Sequence, residues 1–189
     1  RERPAGGAVV SGAGGGTYSL LIDLAAPAEI EVGALGEHRF DAGVYAYTGS
    51  ALGAGGFSRV DRHRRTARDE HDVRHWHVDH LLGDPDVRVD RVVRSVGADV
   101  ECAVAERLPA GPVDGFGASD CGCESHLAAG DEGESLDAFA ARVRDAHEAA
   151  VGSDDAGAAG ESEDAAAAES ADSTDYAESD ARVDVVAGE

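Results

Sequence analysis

The run "TYSLLIDL" (17–24) is apolar at almost every position, and "VYAYTG" (44–49) repeats that character before a glycine. Both are rich in β-branched and aromatic side chains and bounded by Gly or Pro, which predicts strands. Between them, "EIEVGALGEHRFDAG" (29–43) reads as a short strand, a turn and another short strand. Polar helix formers then take over in "FSRVDRHRRTARD" (57–69), after the glycine-rich turn "GAGG", and predict a helix. A second, short helix follows in "HWHVDHLL" (75–82), with Trp76, Leu81 and Leu82 as core anchors. "DVRVDRVVRSV" (86–96) predicts a strand and "DVECAVAERL" (99–108) a helix capped by Asp99. "PAGPVDGFGASDCGCESHL" (109–127) is read as loop with tight turns. In "SLDAFAARVRDAHEAAV" (135–151), apolar Leu136, Phe139, Ala140 and Val143 recur at helical spacing behind Ser135 as N-cap.

This order predicts the α+β class: a small, mostly antiparallel sheet flanked by helices. Residues 1–15 are expected to be a flexible leader, 16–130 the folded domain, 131–150 an amphipathic helical segment, and 151–189 a disordered acidic tail. The tail carries twelve acidic residues against Arg182 alone, and too few large apolar side chains to offset the entropy of ordering. "GAGGG" (12–16) precedes a strand instead of joining a strand to a helix, so it is no dinucleotide fingerprint.

Charge changes the picture of the surroundings more than of the fold. The 189 residues hold 38 acidic and 16 basic side chains, every basic one an Arg, for a net charge of −22. Such an acidic, Lys-free chain is suited to a halophilic cytoplasm, where repulsion is screened over about 3 Å at 1 M salt. An acidic chain from ordinary cytoplasm is the alternative. No apolar run approaches the roughly 20 residues that cross a bilayer, and residues 1–16 lack the apolar stretch of a signal peptide. These features predict a cytoplasmic protein with no membrane partner. Arg at position 1 and the absence of Met predict a trimmed or misassigned start. Three cysteines, Cys102, Cys121 and Cys123, suit thiol or metal chemistry better than a disulfide framework.

"Gly16-Thr17-Tyr18" on one strand and "Tyr47-Thr48-Gly49" on another, followed by an Arg-rich helix, form a pattern. It resembles the GIY-YIG nuclease superfamily. The ordered blocks "GTY", "GSALG", "RVDRH", "HWHVDHLL", "VECAVAERL" and "GFGASDCGCESHL" are similar to a little-characterised prokaryotic branch, found alone or fused to endonuclease III-type glycosylases. The resemblance spans roughly 16–128. It implies a metal-dependent endonuclease that hydrolyses nucleic-acid phosphodiesters, with DNA as the expected partner, a role in DNA repair, and a DNA-repair protein as a further candidate partner. The alternative is a catalytically silent module of the same fold that binds nucleic acid or a repair protein.

By that resemblance Tyr18 is the base or water-positioning group, Tyr47 its companion, Arg59 the phosphate contact, and Glu101 the ligand of one Mg²⁺ or Mn²⁺. Gly16 and Gly49 are the motif glycines. A phenol titrates near 10, so it would act as a base only where neighbouring cations lower that value. Arg62 and His63 lie one helical turn after Arg59 and are candidate phosphate-binding residues. The same helix could instead be a solvated basic face, and the tyrosines plain core aromatics. Tyr45 shares the strand face of Tyr47 and is a spare candidate; Glu106 is assigned to a surface pairing with Arg. The Asn that the superfamily places after the Glu helix has no counterpart here.

"Cys121-Gly-Cys123-Glu-Ser-His126" offers two thiolates and an imidazole, a possible Zn²⁺ site. Its fourth ligand would come from His75 or His77. Alternatively these thiols close the domain, or Ser119, Asp120 and His126 sit beside the active site.

Overall fold

The computed structural model describes residues 14–158 and 181–187. β1 (Gly16–Leu24) is the middle strand of the main sheet. It pairs antiparallel with β4 (Gly43–Ser50) on one side and β5 (Val87–Val96) on the other. β6 (Leu127–Ala129) extends the sheet beyond β4, and β7 (Arg182–Ala187) beyond β5. The order is β6-β4-β1-β5-β7, antiparallel throughout. A separate hairpin joins β2 (Ala28–Glu31) and β3 (Glu37–Phe40).

β1 is apolar at almost every position because both faces of the sheet are covered. On one face Tyr18, Leu20, Ile22 and Leu24 join Tyr45, Tyr47 and Val92. This face packs on α1 (Ser58–Ala67), α2 (His77–Leu82) and the hairpin. On the other, Leu21, Val44, Ala46 and Val93 meet α3 (Glu101–Ala105) and α4 (Leu136–Ala158). From α4 come Phe139, Ala140, Val143, Ala146 and Ala150, the helical stripe predicted from the sequence. The two-residue period of the strands thus sorts Tyr18 and Tyr47 to the α1–α2 face and Ser19, Thr48 and Ser95 to the α4 face. There His147 of α4 is fully buried, 2.8 Å from Ser19 Oγ and 2.7 Å from Ser95 Oγ, and Ser19 Oγ lies 2.7 Å from Thr48 Oγ1.

The expected α+β architecture is the observed one, with several corrections. The stretch 109–127, read as loop, ends in β6, which satisfies the free edge of β4. α3 is shorter than 99–108, and its cap position is Val100, with no side-chain cap from Asp99. The tail expected from 151 is overturned in two places. Residues 151–158 continue α4, and 182–187 form β7, locked by two parallel bonds from Arg94 to Asp184 at 2.7 and 2.8 Å. The rest of that tail, and residues 1–13 of the leader, lie outside the described residues. Gly14 and Gly15 already belong to the fold, their carbonyls accepting from the amides of Phe57 and Gly97. Among the described residues no helix is long and apolar enough to cross a membrane.

Candidate functional site

Tyr18 and Tyr47 lie side by side on β1 and β4, ring centroids 6.4 Å apart and edge to face. The register pairs Tyr18 with Gly49, and this fixes the need for glycine there. A Cβ at Gly49 would stand 2.7 Å from the Tyr18 hydroxyl and 3.1 Å from the Tyr47 ring. Gly16 meets a different demand: its φ of 153° and its approach to the Ser95 carbonyl both exclude a side chain.

The Tyr18 hydroxyl lies 3.0 Å from Nε2 of His63, whose Nδ1 lies 2.8 Å from Oδ1 of Asp79. All three side chains are buried. Asp79, in the first turn of α2, also accepts from the amides of His75 and Trp76 at 2.9 and 3.1 Å, which caps the helix start. Burial pushes the Asp79 carboxyl up, but these hydrogen bonds outweigh it and hold it down at about 2. An ionised carboxylate only accepts, so the His63 proton sits on Nδ1. Burial lowers the His63 pKa despite Asp79, leaving a neutral ring whose Nε2 accepts from Tyr18. The result is a directed chain, Tyr18 to His63 to Asp79.

This arrangement corrects two expectations. His63 cannot grip phosphate, because both ring nitrogens are engaged inside the core. The Tyr18 phenol is not made acidic by the neighbouring arginines either. Burial and the Tyr47 phenol push its pKa well up, against the opposing pull of Arg59 and Arg62. Burial and Glu101 raise that of Tyr47 likewise. Tyr45 donates to the Asp41 carbonyl at 2.7 Å, away from this chain.

Beside the tyrosines, α1 and the glycine-rich turn before it enclose a cleft of about 490 Å³. Arg59, Arg62, Arg65, His71, Trp76 and Ser58 line it with Ala51 and residues 53–56, and among the described residues no carboxylate does. Arg59 donates to the Ser50 carbonyl at 2.8 Å. Arg62 lies flat on Trp76, 3.6 Å from the ring centre, and 3.7 Å from the Asp79 carboxylate. Among the described residues its Nε and NH2 are buried without a hydrogen-bond partner. Buried guanidinium donors without acceptors are costly, and an anion would satisfy them.

Glu101 opens α3. Its Oε1 lies 3.0 Å from His126 Nδ1, and its carboxylate is felt at both Tyr18 and Tyr47. Next to it Cys102, Cys121, Cys123 and His126 bring their ligand atoms within 4.8 Å of one another, a cluster able to hold a metal ion. All three cysteines are free thiols. Cys102, named for thiol or metal chemistry but not placed in this ligand set, takes the place expected for His75 or His77. His75 is exposed, and His77 Nδ1 accepts from the Gly117 amide at 3.0 Å. Ser119, Asp120 and Glu106 are exposed.

A family model described as a domain of unknown function, DUF123, matches residues 17–149, well over half of the chain. The chain belongs to the DUF123 family. No curated protein and no solved structure matches it. The DUF123 segment opens within β1, one residue before Tyr18, and closes in α4, two residues after His147. It therefore contains the tyrosine–histidine–aspartate chain, the arginine cleft and the thiol cluster, while β7 lies beyond it. Of the residues gathered here, Asp79 was missed from sequence, and Cys102 was named among the thiols without being joined to Cys121, Cys123 and His126. An Asp three residues after a helix N-cap was a legible signal for the first; the second is joined to its partners only by the fold.

Proposed function

We propose that this DUF123 protein is a metal-dependent endonuclease of the GIY-YIG type, hydrolysing nucleic-acid phosphodiesters, DNA foremost, in repair. The observation that carries this reading is the Tyr18–His63–Asp79 chain beside a carboxylate-free arginine cleft. Arg62 and Arg59 hold the scissile phosphate, and the phosphate supplies the acceptors that the Arg62 donors lack. For hydrolysis the attacking water has to reach the Tyr18 hydroxyl, which is buried while Arg62 rests on Trp76. As its oxygen bonds to phosphorus and the bond from phosphorus to the leaving oxygen breaks, that water passes a proton to the Tyr18 oxygen while the phenolic proton moves to His63 Nε2, so no free phenolate is needed; the leaving oxygen takes its proton from solvent. Asp79 stabilises the imidazolium without taking the proton, as the carboxylate of a catalytic triad does. Tyr47, whose hydroxyl makes no hydrogen bond among the described residues, orients the water.

The family resemblance asks for one Mg²⁺ or Mn²⁺ on Glu101, and the donor set fits. Oε1 is taken by His126, the other oxygen forms no hydrogen bond among the described residues, and Mg²⁺ commonly uses one carboxylate with substrate phosphate. When bound, such an ion supplies charge neutralisation at the phosphate.

Flap, fork and single-stranded substrates incubated with Mn²⁺ in high KCl test the reading. Wild type cuts, and Tyr18→Phe and His63→Gln each lose about 100-fold or more. Undiminished cutting by both variants would remove the assigned site. Binding without cutting by wild type would leave a nucleic-acid-binding module instead.

A further inference from the structure

We propose that Cys102, Cys121, Cys123 and His126 form a closed structural Zn²⁺ site, and that this ion, through His126, sets the position of Glu101. The second half rests on the nuclease reading; the first does not.

The four ligands come from two places, Cys102 from α3 and the others from the loop that leads into β6. His126 Nε2 lies 3.3 Å from Cys121 Sγ and 3.9 Å from Cys102 Sγ. Tetrahedral zinc, with bonds of about 2.3 Å to sulfur and about 2.0 Å to nitrogen, sets such edges at roughly 3.5 Å. The ligand atoms are too close together to admit an iron–sulfur cluster with its own sulfides, but they suit one ion. Three thiolates and an imidazole favour a soft or borderline cation with no geometric preference of its own, which is Zn²⁺. Four protein ligands complete the shell, so the site holds structure and carries no reacting water.

The imidazole decides the link to Glu101. Because Glu101 Oε1 faces Nδ1, that nitrogen carries the proton, and Nε2 presents its lone pair to the thiols. A carboxylate behind a ligating histidine fixes the ring and strengthens its binding. The same hydrogen bond read backwards fixes the carboxylate. His126 is buried and its amide donates to the Phe116 carbonyl, while the Phe116 ring packs 6.0 Å from that of Tyr47. One ion thus staples α3, the loop and the wall of the tyrosine pair.

The test uses the full chain, purified from zinc-supplied cells and measured for metal by plasma emission. One equivalent of Zn²⁺ per chain is expected. It falls to a trace in Cys121→Ser and in Cys123→Ser, and Co²⁺ exchanged into wild type gives the intense thiolate-to-cobalt absorption of a tetrahedral site. Glu101→Gln should keep the site and weaken zinc binding by about 10- to 100-fold. Metal-free wild type with three freely titrating thiols and no Co²⁺ spectrum would overturn the site, whatever the nuclease assay shows. If a variant fails to fold, chelator removal and zinc return on wild type read the same occupancy. For the link, chelated protein supplied with Mn²⁺ should lose cutting and regain it with added Zn²⁺; unchanged cutting would overturn the link alone. A wild type that holds zinc but never cuts would leave the site and remove the nuclease.

Discussion

Asp79 and His147 are buried titratable groups on opposite faces of one sheet, and acid should reach them in sequence. Burial pulls the His147 imidazole from 6.5 to about 4, since its partners are neutral hydroxyls. The unfolded chain then binds the extra proton first. The stability associated with a neutral His147 is complete above pH 6.5 and is lost as pH falls toward 4, about 3 kcal/mol in all. Asp79 is depressed from 3.8 to about 2, so its contribution is complete above pH 3.8 and is lost as pH falls through about 2, a further 2 kcal/mol or so. Urea midpoints measured from pH 7 to 3 should show a larger first loss in wild type than in His147→Gln, which keeps the share of the buried His63. An Asp79→Asn variant should keep the first loss and start from a lower plateau.

Sheet edges govern the behaviour of whole elements. β7 covers β5, and without it a row of unpaired β5 amides and carbonyls would face solvent, inviting pairing between molecules. A chain ending at residue 180 should lose about 2–3 kcal/mol, from the charged Arg94–Asp184 bonds and the ladder, and should associate in light scattering. β7 was illegible because six residues of "RVDVVA" sit in a stretch whose composition is overwhelmingly acidic and small. Period-two valines at Val183 and Val185 were present, but only a waiting strand edge gives them a reason to order. The strands β1, β4 and β5 and the helix stripe of α4 were legible, because burial on a face imprints its period locally. Tyr45 and Tyr47 could be placed on one face of β4 by alternation. The proton path could not be read, because it depends on α1 and α2 closing over that face, and contacts between separate elements leave no local pattern. The same reason hid Cys102 from its partners nineteen or more positions away.

At the scale of the molecule, a net charge of −22 opposes compaction. Thermal midpoints should climb as KCl rises from about 0.1 M to about 1 M, while the screening length shrinks from about 10 Å to about 3 Å. A flat or falling dependence would speak against a high-salt setting. The cleft is the local exception to that field, with Arg59, Arg62 and Arg65 lining it and no carboxylate among the described residues that do. Its floor includes Trp76, the sole tryptophan of the chain, under the Arg62 guanidinium. Indole emission is sensitive to a cation resting on the ring, so the protein carries its own optical gauge of cleft occupancy. Titrating inorganic phosphate or a short oligonucleotide should shift the emission of wild type and leave that of Arg62→Gln nearly still, so engagement can be followed without a label and before any bond is cut.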